Sequence, residues 1–371
     1  MTDSSRLLRA TACFLAVAAA AAWPGSGAAT AGSPYAAVDA RNEGTRFDNL
    51  PGHTRSAYAS DHALITPESR VYTGLFGWKD TLAAWFITPA MAGKPNFSMY
   101  QVRRGDGAIA RDRRRPPTRR ASSSSGSPLV AGSVSTRPAV PQTRLAHPTS
   151  SLSLPPDARA QALMKPGASA GVPAPGAWRF VFVMDGEAEA AGETADGALS
   201  LASTLRAGDF AYFPADSKQS LVSKPGASLL VYEKPYVEPT GAVLAALGEN
   251  PPRPAFVFGS TDDLPNIETP GEVFGLKKLL PQTLEWDANF HVMDFNPGEY
   301  LYVKEIHYNQ HGLMLLEGKG VYRLNDSWYS VQAGDVIWMS PFVTQWYAAL
   351  GTQRSRYIIL KDTNRDPIGP T

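Results

Sequence analysis

Short apolar runs, each about four to eight residues long and cut by Gly, Pro, Asn or Asp, recur along the chain and predict β-strands rather than helices. Leu82-Ala83-Ala84-Trp85-Phe86-Ile87-Thr88, Phe97-Ser98-Met99-Tyr100 and Trp178-Arg179-Phe180-Val181-Phe182-Val183 are such runs. From residue 178 onward the pattern occurs twice. The first copy reads Met184-Asp185-Gly186-Glu187, then Ala207-Gly208-Asp209-Phe210-Ala211-Tyr212-Phe213-Pro214, then Leu229-Leu230-Val231-Tyr232-Glu233-Lys234. The second reads Leu316-Glu317-Gly318-Lys319, then Ala333-Gly334-Asp335-Val336-Ile337-Trp338-Met339-Ser340-Pro341, then Tyr357-Ile358-Ile359-Leu360-Lys361-Asp362. In each copy a small-residue turn follows a strand, a Gly-Asp turn opens the next strand, and a proline closes it. Neither copy carries the period of a long helix. The expected fold is all-β, two tandem jelly-roll barrels.

Two stretches break the pattern. At the N-terminus, Arg6 and Arg9 precede the apolar run Ala10 to Ala22, and Ala29-Thr30-Ala31 follows as a cleavage site. Residues 1–31 thus read as a secretory signal peptide, too short for a transmembrane span. Between 102 and 176 stand the Arg113-Arg114-Arg115 run, four serines from Ser122 to Ser125 and many prolines. Such a composition buries too little apolar surface to offset its ordering entropy, so this segment is expected to be a disordered, low-complexity insertion. It also resembles translated non-coding sequence, and transcript sequencing across codons 100–180 separates a retained intron from an expressed loop. The expected organisation is a signal peptide over 1–31, a first barrel over 35–240 interrupted by 102–176, a linker over 241–275, and a second barrel over 276–371.

Composition narrows the function classes. Apolar residues make up 43% of the 371 and charged residues 19%, enough for a large core. Residues 103–170 hold 12 Lys+Arg against 3 Asp+Glu, net +9; with +1 for the whole chain, the remainder carries −8. Basic low-complexity tracts are usually solvated, and this one conflicts with the N-terminal signal, so neither nucleic acid nor, after signal cleavage, a membrane is an expected partner. The single cysteine, Cys13, leaves with the signal, which excludes disulfides and thiolate chemistry from the mature chain.

The chemistry concentrates in Glu305-Ile306-His307-Tyr308-Asn309-Gln310-His311. Glu305 and His307 would share one face of a strand. In a straight strand His311 would lie ~13 Å beyond His307, at about 3.3 Å per residue. For all three to hold one ion the chain must turn near Tyr308–Gln310, which Asn309 and Gly312 permit. Gln345, in the later run Phe342-Val343-Thr344-Gln345-Trp346-Tyr347, is the candidate fourth donor. Two imidazoles, a carboxylate and an amide favour octahedral Mn²⁺ or Fe²⁺ over four-coordinate zinc. Aligning Gly186 with Gly318 puts Pro173, Pro175 and Arg179 where Glu305, His307 and His311 stand; only Gln219, 11 residues after Gly208 as Gln345 is after Gly334, matches a donor, so the first barrel is expected to be metal-free. Tyr357 and Lys361 lie on one face of the last strand. A lysine inside a barrel calls for a polar or anionic ligand and is a proton-shuttle candidate.

These residues carry a family resemblance. Residues 269–367, above all Val303-Lys304-Glu305-Ile306-His307-Tyr308-Asn309-Gln310-His311-Gly312-Leu313 and Gln345-Trp346-Tyr347-Ala348-Ala349-Leu350-Gly351 with Arg354-Ser355-Arg356-Tyr357, resemble the C-terminal cupin of the (S)-ureidoglycine aminohydrolases, plant bicupins of purine and allantoin catabolism. Residues 35–101 and 177–240 resemble the family's N-terminal part more loosely, and 102–176 match nothing in it. The resemblance implies a bicupin fold and Mn²⁺ held by Glu305, His307, His311 and Gln345. It implies substrate contacts from Gln345, Tyr357 and Lys361, and ammonia release from (S)-ureidoglycine to give (S)-ureidoglycolate. Lys361, and Glu305 beyond its ligand role, are then the catalytic candidates. A homo-oligomer, such as an octamer, in the endoplasmic reticulum is implied as well. The alternatives are another metal-dependent cupin, a dioxygenase or isomerase, or a non-enzymatic storage or binding bicupin.

Overall fold

The computed structural model describes residues 34–35, 38, 53–102, 166–194, 197 and 200–365. The expected signal peptide, with Cys13, and residues 103–165 of the expected insertion lie outside these.

The repeated runs form strands at the predicted places, and their turns match. Gly186 and Gly318 have φ of 76° and 73°, and Gly208 and Gly334 have φ of 94° and 92°, so each repeat turns on glycine where an L side chain is strained. The second half stacks a seven-stranded sheet on a three-stranded one. The larger sheet runs Ala57–Tyr58, His62–Ile65, Val336–Met339, His311–Glu317, Ser355–Asp362, Ala288–Phe295, Gly275–Lys278, all antiparallel. The smaller runs Ser327–Gln332, Lys319–Leu324, Gln345–Ala349. The first half is organised around one 17-residue strand, Ala177–Glu193. Before Gly186 this strand pairs with Ala227–Pro235 and Asp209–Phe213. Beyond Gly186 it pairs with Ser200–Arg206 and Lys218–Ser223, so a single strand serves both layers.

Three apolar cores follow. One fills each half, around Val181, Leu229 and Phe213 in the first and Leu313, Tyr347 and Tyr357 in the second. The third lies between the two large sheets, where the Phe180 and Phe290 rings stack 3.6 Å apart at 9°. The large sheets are covered on both faces, which is why their strands read as continuous apolar runs rather than alternations. The fold is an all-β bicupin. Among the described residues the one α-helix, Gly241–Leu247, has seven residues, and no helix is long and apolar enough to cross a membrane.

The halves also exchange strands. His62–Ile65, buried throughout and within the stretch assigned to the first barrel (35–240), pairs with Val336–Met339 of the second. Val257–Ser260, within the expected linker (241–275), pairs with Asp209–Phe213 of the first. The expected insertion is also too wide at both ends. Val102 closes the strand Ser98–Val102, and Ala168–Ser169 pairs with Val222 and Ser223. Ala168 and Val102 are buried in the same core, so small residues that read as low complexity still contribute packing.

Candidate functional site

Three segments bring the predicted side chains together. Glu305 makes a two-way backbone bridge with Gln345, with both N···O distances 2.9 Å. The pairing stops there, so Glu305 to His307 is not the strand its spacing suggests. The backbone N–H of Phe342, which has φ of 64°, donates to the His307 carbonyl at 2.8 Å, and the chain bends at Tyr308 before His311 opens its strand. The required turn is present. Gly312 serves differently from the expected turn role. It lies inside the strand His311–Glu317 and is not among the positive-φ glycines; its missing Cβ makes room for the Phe97 ring and Ile87 of the first half.

His307 Nε2 is the meeting point. It lies 3.2 Å from His311 Nε2, 2.8 Å from Gln345 Nε2 and 3.7 Å from Glu305 Oε2, while Gln345 Nε2 donates to Glu305 Oε2 at 3.0 Å. Outer contacts fix these groups. His311 Nδ1 donates to the Leu360 carbonyl at 3.0 Å, which leaves a lone pair on Nε2 facing His307. The Tyr322 hydroxyl donates to Gln345 Oε1 at 2.9 Å. Burial pushes the His311 pKa well below its ordinary value, and repulsion from His307 and Lys361 adds to this; the ring is neutral.

Among the described residues no three His, Cys, Asp or Glu side chains already form a cation cage. The donor chemistry nevertheless fits a divalent ion. The two Nε2 atoms face each other across 3.2 Å, the amide N–H and the Glu305 carboxylate crowd the same point, and His307 Nδ1 is buried without a hydrogen-bond partner. One proton cannot satisfy this arrangement, whereas a divalent cation between the donors would, with the amide turned to present its oxygen.

The cluster opens on a cavity of about 300 Å³ that Tyr357 and Lys361 also line. Burial lowers the Lys361 pKa; Glu305 opposes the shift and Lys278 reinforces it. Tyr357 is fully buried, and burial holds its hydroxyl protonated. All the sequence-predicted site residues except His307 line this one cavity, and His307 is tied to Gln345 and His311 beside it. Sequence reasoning gave no role to His291, Lys278, Glu272 or Tyr322. Three of these line the cavity and Tyr322 lies behind it. Lys278 and His291 meet only through a cross-strand register, which one chain's spacing does not reveal. Burial, with Lys361 and Lys278 nearby, pushes His291 down to about 3.

The first half fills its equivalent place with an ion pair. Arg179 pairs across strands with Glu233 as His311 does with Lys361. Its buried guanidinium reaches Glu233 at 2.8 Å and Gln219, the counterpart of Gln345, at 2.9 Å.

No family model matches the chain. It is 40% identical over 325 residues to a probable (S)-ureidoglycine aminohydrolase of Oryza sativa subsp. japonica, covering 87% of this chain and 79% of that protein. It is 40% identical over 324 residues to the (S)-ureidoglycine aminohydrolase of Arabidopsis thaliana, covering 87% and 83%. Among solved structures it shares its fold with protein Ylba from E. coli, at TM-score 0.58 and 22% identity over 87% of this chain and 99% of that one. A putative glyoxylate-induced protein from Pseudomonas aeruginosa gives TM-score 0.59 and 19% identity over 86% and 94%. The extent and identity of the plant matches establish that this chain is an enzyme belonging to the (S)-ureidoglycine aminohydrolase family.

Proposed function

We propose that the chain is a divalent-metal-dependent hydrolase that releases ammonia from (S)-ureidoglycine and leaves (S)-ureidoglycolate, as a step of purine and allantoin catabolism. The observation that carries this reading is the meeting of two imidazoles, a carboxylate and an amide within 3.7 Å of one nitrogen, on the wall of a cavity that also holds a lysine. The names of the two plant relatives supply the substrate.

Glu305, His307, His311 and Gln345 would hold the metal, and Mn²⁺ suits a set of imidazole, carboxylate and amide donors with positions to spare. When bound, the ion supplies Lewis-acid polarisation and a fixed orientation for substrate. The proton work belongs to Lys361. The substrate carbon loses its amino nitrogen as ammonia and gains a hydroxyl from water. The leaving amine needs a proton and the attacking water must lose one. Lys361 Nζ, held half-buried beside Glu305, is suited to give the first and take the second because burial draws its pKa toward neutrality. Tyr357 stays protonated and orients substrate as a hydrogen-bond donor.

The N-terminal signal supports synthesis into the endoplasmic reticulum, and the mature chain acts as a homo-oligomer. A fluorescent fusion that stays cytosolic would remove the first of these assignments, and a monomer by light scattering the second. The function itself is tested by ammonia release from freshly generated ureidoglycine, with Mn²⁺ and with a chelator. Release that depends on the metal supports the reading; its absence under both conditions rejects it.

A further inference from the structure

Lys278 occupies the same cavity as the donor cluster but belongs to none of the roles given so far. It ends the strand Gly275–Lys278, at the edge of the seven-stranded sheet. The register pairs Lys278 with His291, and His291 with Ile359, two residues before Lys361 on the same face. Two ammonium groups therefore share one wall of the cavity, on either side of a histidine that carries no charge at neutral pH. Among the described residues neither lysine has a hydrogen-bond or ion-pair partner. The two carboxylates lining the cavity are engaged elsewhere. Glu305 accepts from Gln345 Nε2 at 3.0 Å, and Glu272 accepts from the backbone N–H of Tyr302 at 3.0 Å.

Neighbouring like charges on one sheet face are destabilising, and a half-buried ammonium without a counter-ion loses hydration that nothing replaces. The neighbouring Lys277 shows the contrast, since its Nζ is satisfied by the Thr261 carbonyl on the other side of the strand. Lys278 instead faces a space of about 300 Å³ that suits a small anion. We propose that Lys278 is a specificity-determining residue: its ammonium holds the carboxylate of a small α-substituted acid within this cavity. This rests on the hydrolase reading for the identity of the acid, and on the cavity alone for its charge. The assignment supplies the partner that the Lys278 ammonium otherwise lacks. It also gives the site a means of rejecting neutral ureas, because a polar group built for a charged partner is left unpaired by a ligand lacking it.

The test compares two stable probes on the Mn²⁺-loaded full chain by calorimetry: (S)-ureidoglycolate, and hydroxymethylurea, which lacks the carboxylate. The wild type is expected to prefer the acid, and Lys278→Gln to lose about 10- to 100-fold of affinity for it while binding the neutral probe as before. Lys278→Arg should recover most of the preference, and in turnover KM should rise in Lys278→Gln more than kcat falls. Metal content and the circular dichroism of Lys278→Gln guard against misfolding, and if that variant fails to fold, Lys278→Arg and Lys278→Met are compared instead. Equal affinity of wild type and Lys278→Gln for the acid would overturn the assignment even if ammonia release is intact. Lys278-dependent binding of the acid without ammonia release would uphold the anion site and reject the hydrolase reading. A wild type that shows no preference for the acid overturns it as well.

Discussion

The backbone N–H of Asn96, in the first half, donates to the side-chain oxygen of Gln310, in the second, at 3.3 Å, one residue before His311. The same asparagine donates through Nδ2 to Asp362, one residue after Lys361, at 3.3 Å. Asn309 closes the triangle by donating to the Asp362 carbonyl at 2.5 Å. A single loop of the first half thus braces both the segment that carries the imidazoles and the strand that carries the lysine. Partners bonded directly to metal ligands typically contribute 10- to 100-fold to metal affinity, and a brace one residue away from His311 acts at the low end of that range. Gln310→Leu is therefore expected to weaken Mn²⁺ binding about tenfold in a titration of the metal-stripped chain, with little change in its unfolding temperature. Unchanged affinity would show that the brace does not act on the donors.

Much of this site was legible in the sequence because it is local. Glu305, His307 and His311 lie within seven residues, and the turn they require is present at Tyr308. Gln345 was reachable because it lies 11 residues after Gly334, in the next strand-like run after the Gly-Asp turn. What was not legible depends on register between distant strands. The pairing of His62–Ile65 with Val336–Met339, and of Lys278 with His291, is set by tertiary packing that leaves no local period. Gly312 was misread for the same reason. A glycine that admits a ring from another half looks, in sequence, like a glycine that turns.

Lys361 separates metal binding from proton transfer. It lines the cavity beside Glu305 and makes no hydrogen bond to His307, His311 or Gln345 among the described contacts. Lys361→Met keeps an unbranched side chain, one atom shorter, and removes the proton carrier. Metal content should stay at the wild-type level while turnover falls ~10²- to 10⁴-fold, the range for losing a general acid or base. Elemental analysis beside an ammonia assay checks both halves of the expectation, and retained turnover would refute the proton role.

The junction between the halves contains a buried charge cluster. Lys234 Nζ lies 2.6 Å from Asp287 Oδ2 and 3.7 Å from Asp362 Oδ1. Asp287 also accepts from Trp178 Nε1 at 3.0 Å and from the Val237 backbone N–H at 3.1 Å. Removing one partner of a buried pair leaves an uncompensated charge and typically costs 3–5 kcal/mol, more than the intact pair contributes. Lys234→Met should lower stability by about 3 kcal/mol in urea unfolding, the low end of that range, because two donors to Asp287 remain. Lys234→Met with Asp287→Asn should recover part of the loss. A double variant as unstable as the single one would show that packing, not charge, accounts for the effect.

His291 makes the metal-stripped chain acid-sensitive. Burial, with Lys361 and Lys278 on the same wall, holds its pKa at about 3, against an ordinary 6.5 in the unfolded chain. Above pH ~6.5 both states carry a neutral ring, and the group adds nothing to the slope. Between ~6.5 and ~3 the unfolded chain takes up a proton that the folded chain refuses, so stability falls as the pH falls. Each unit of depression corresponds to about 1.4 kcal/mol, and partial solvent access to the cavity reduces the total to roughly 2–4 kcal/mol. His291→Gln, which cannot be protonated in this range, should flatten the dependence. The urea midpoints of wild type and variant are expected to differ least near pH 4 and to separate in favour of the wild type toward pH 7. Parallel curves from pH 7 to pH 4 would mean that the histidine is as free to charge in the folded chain as in the unfolded one.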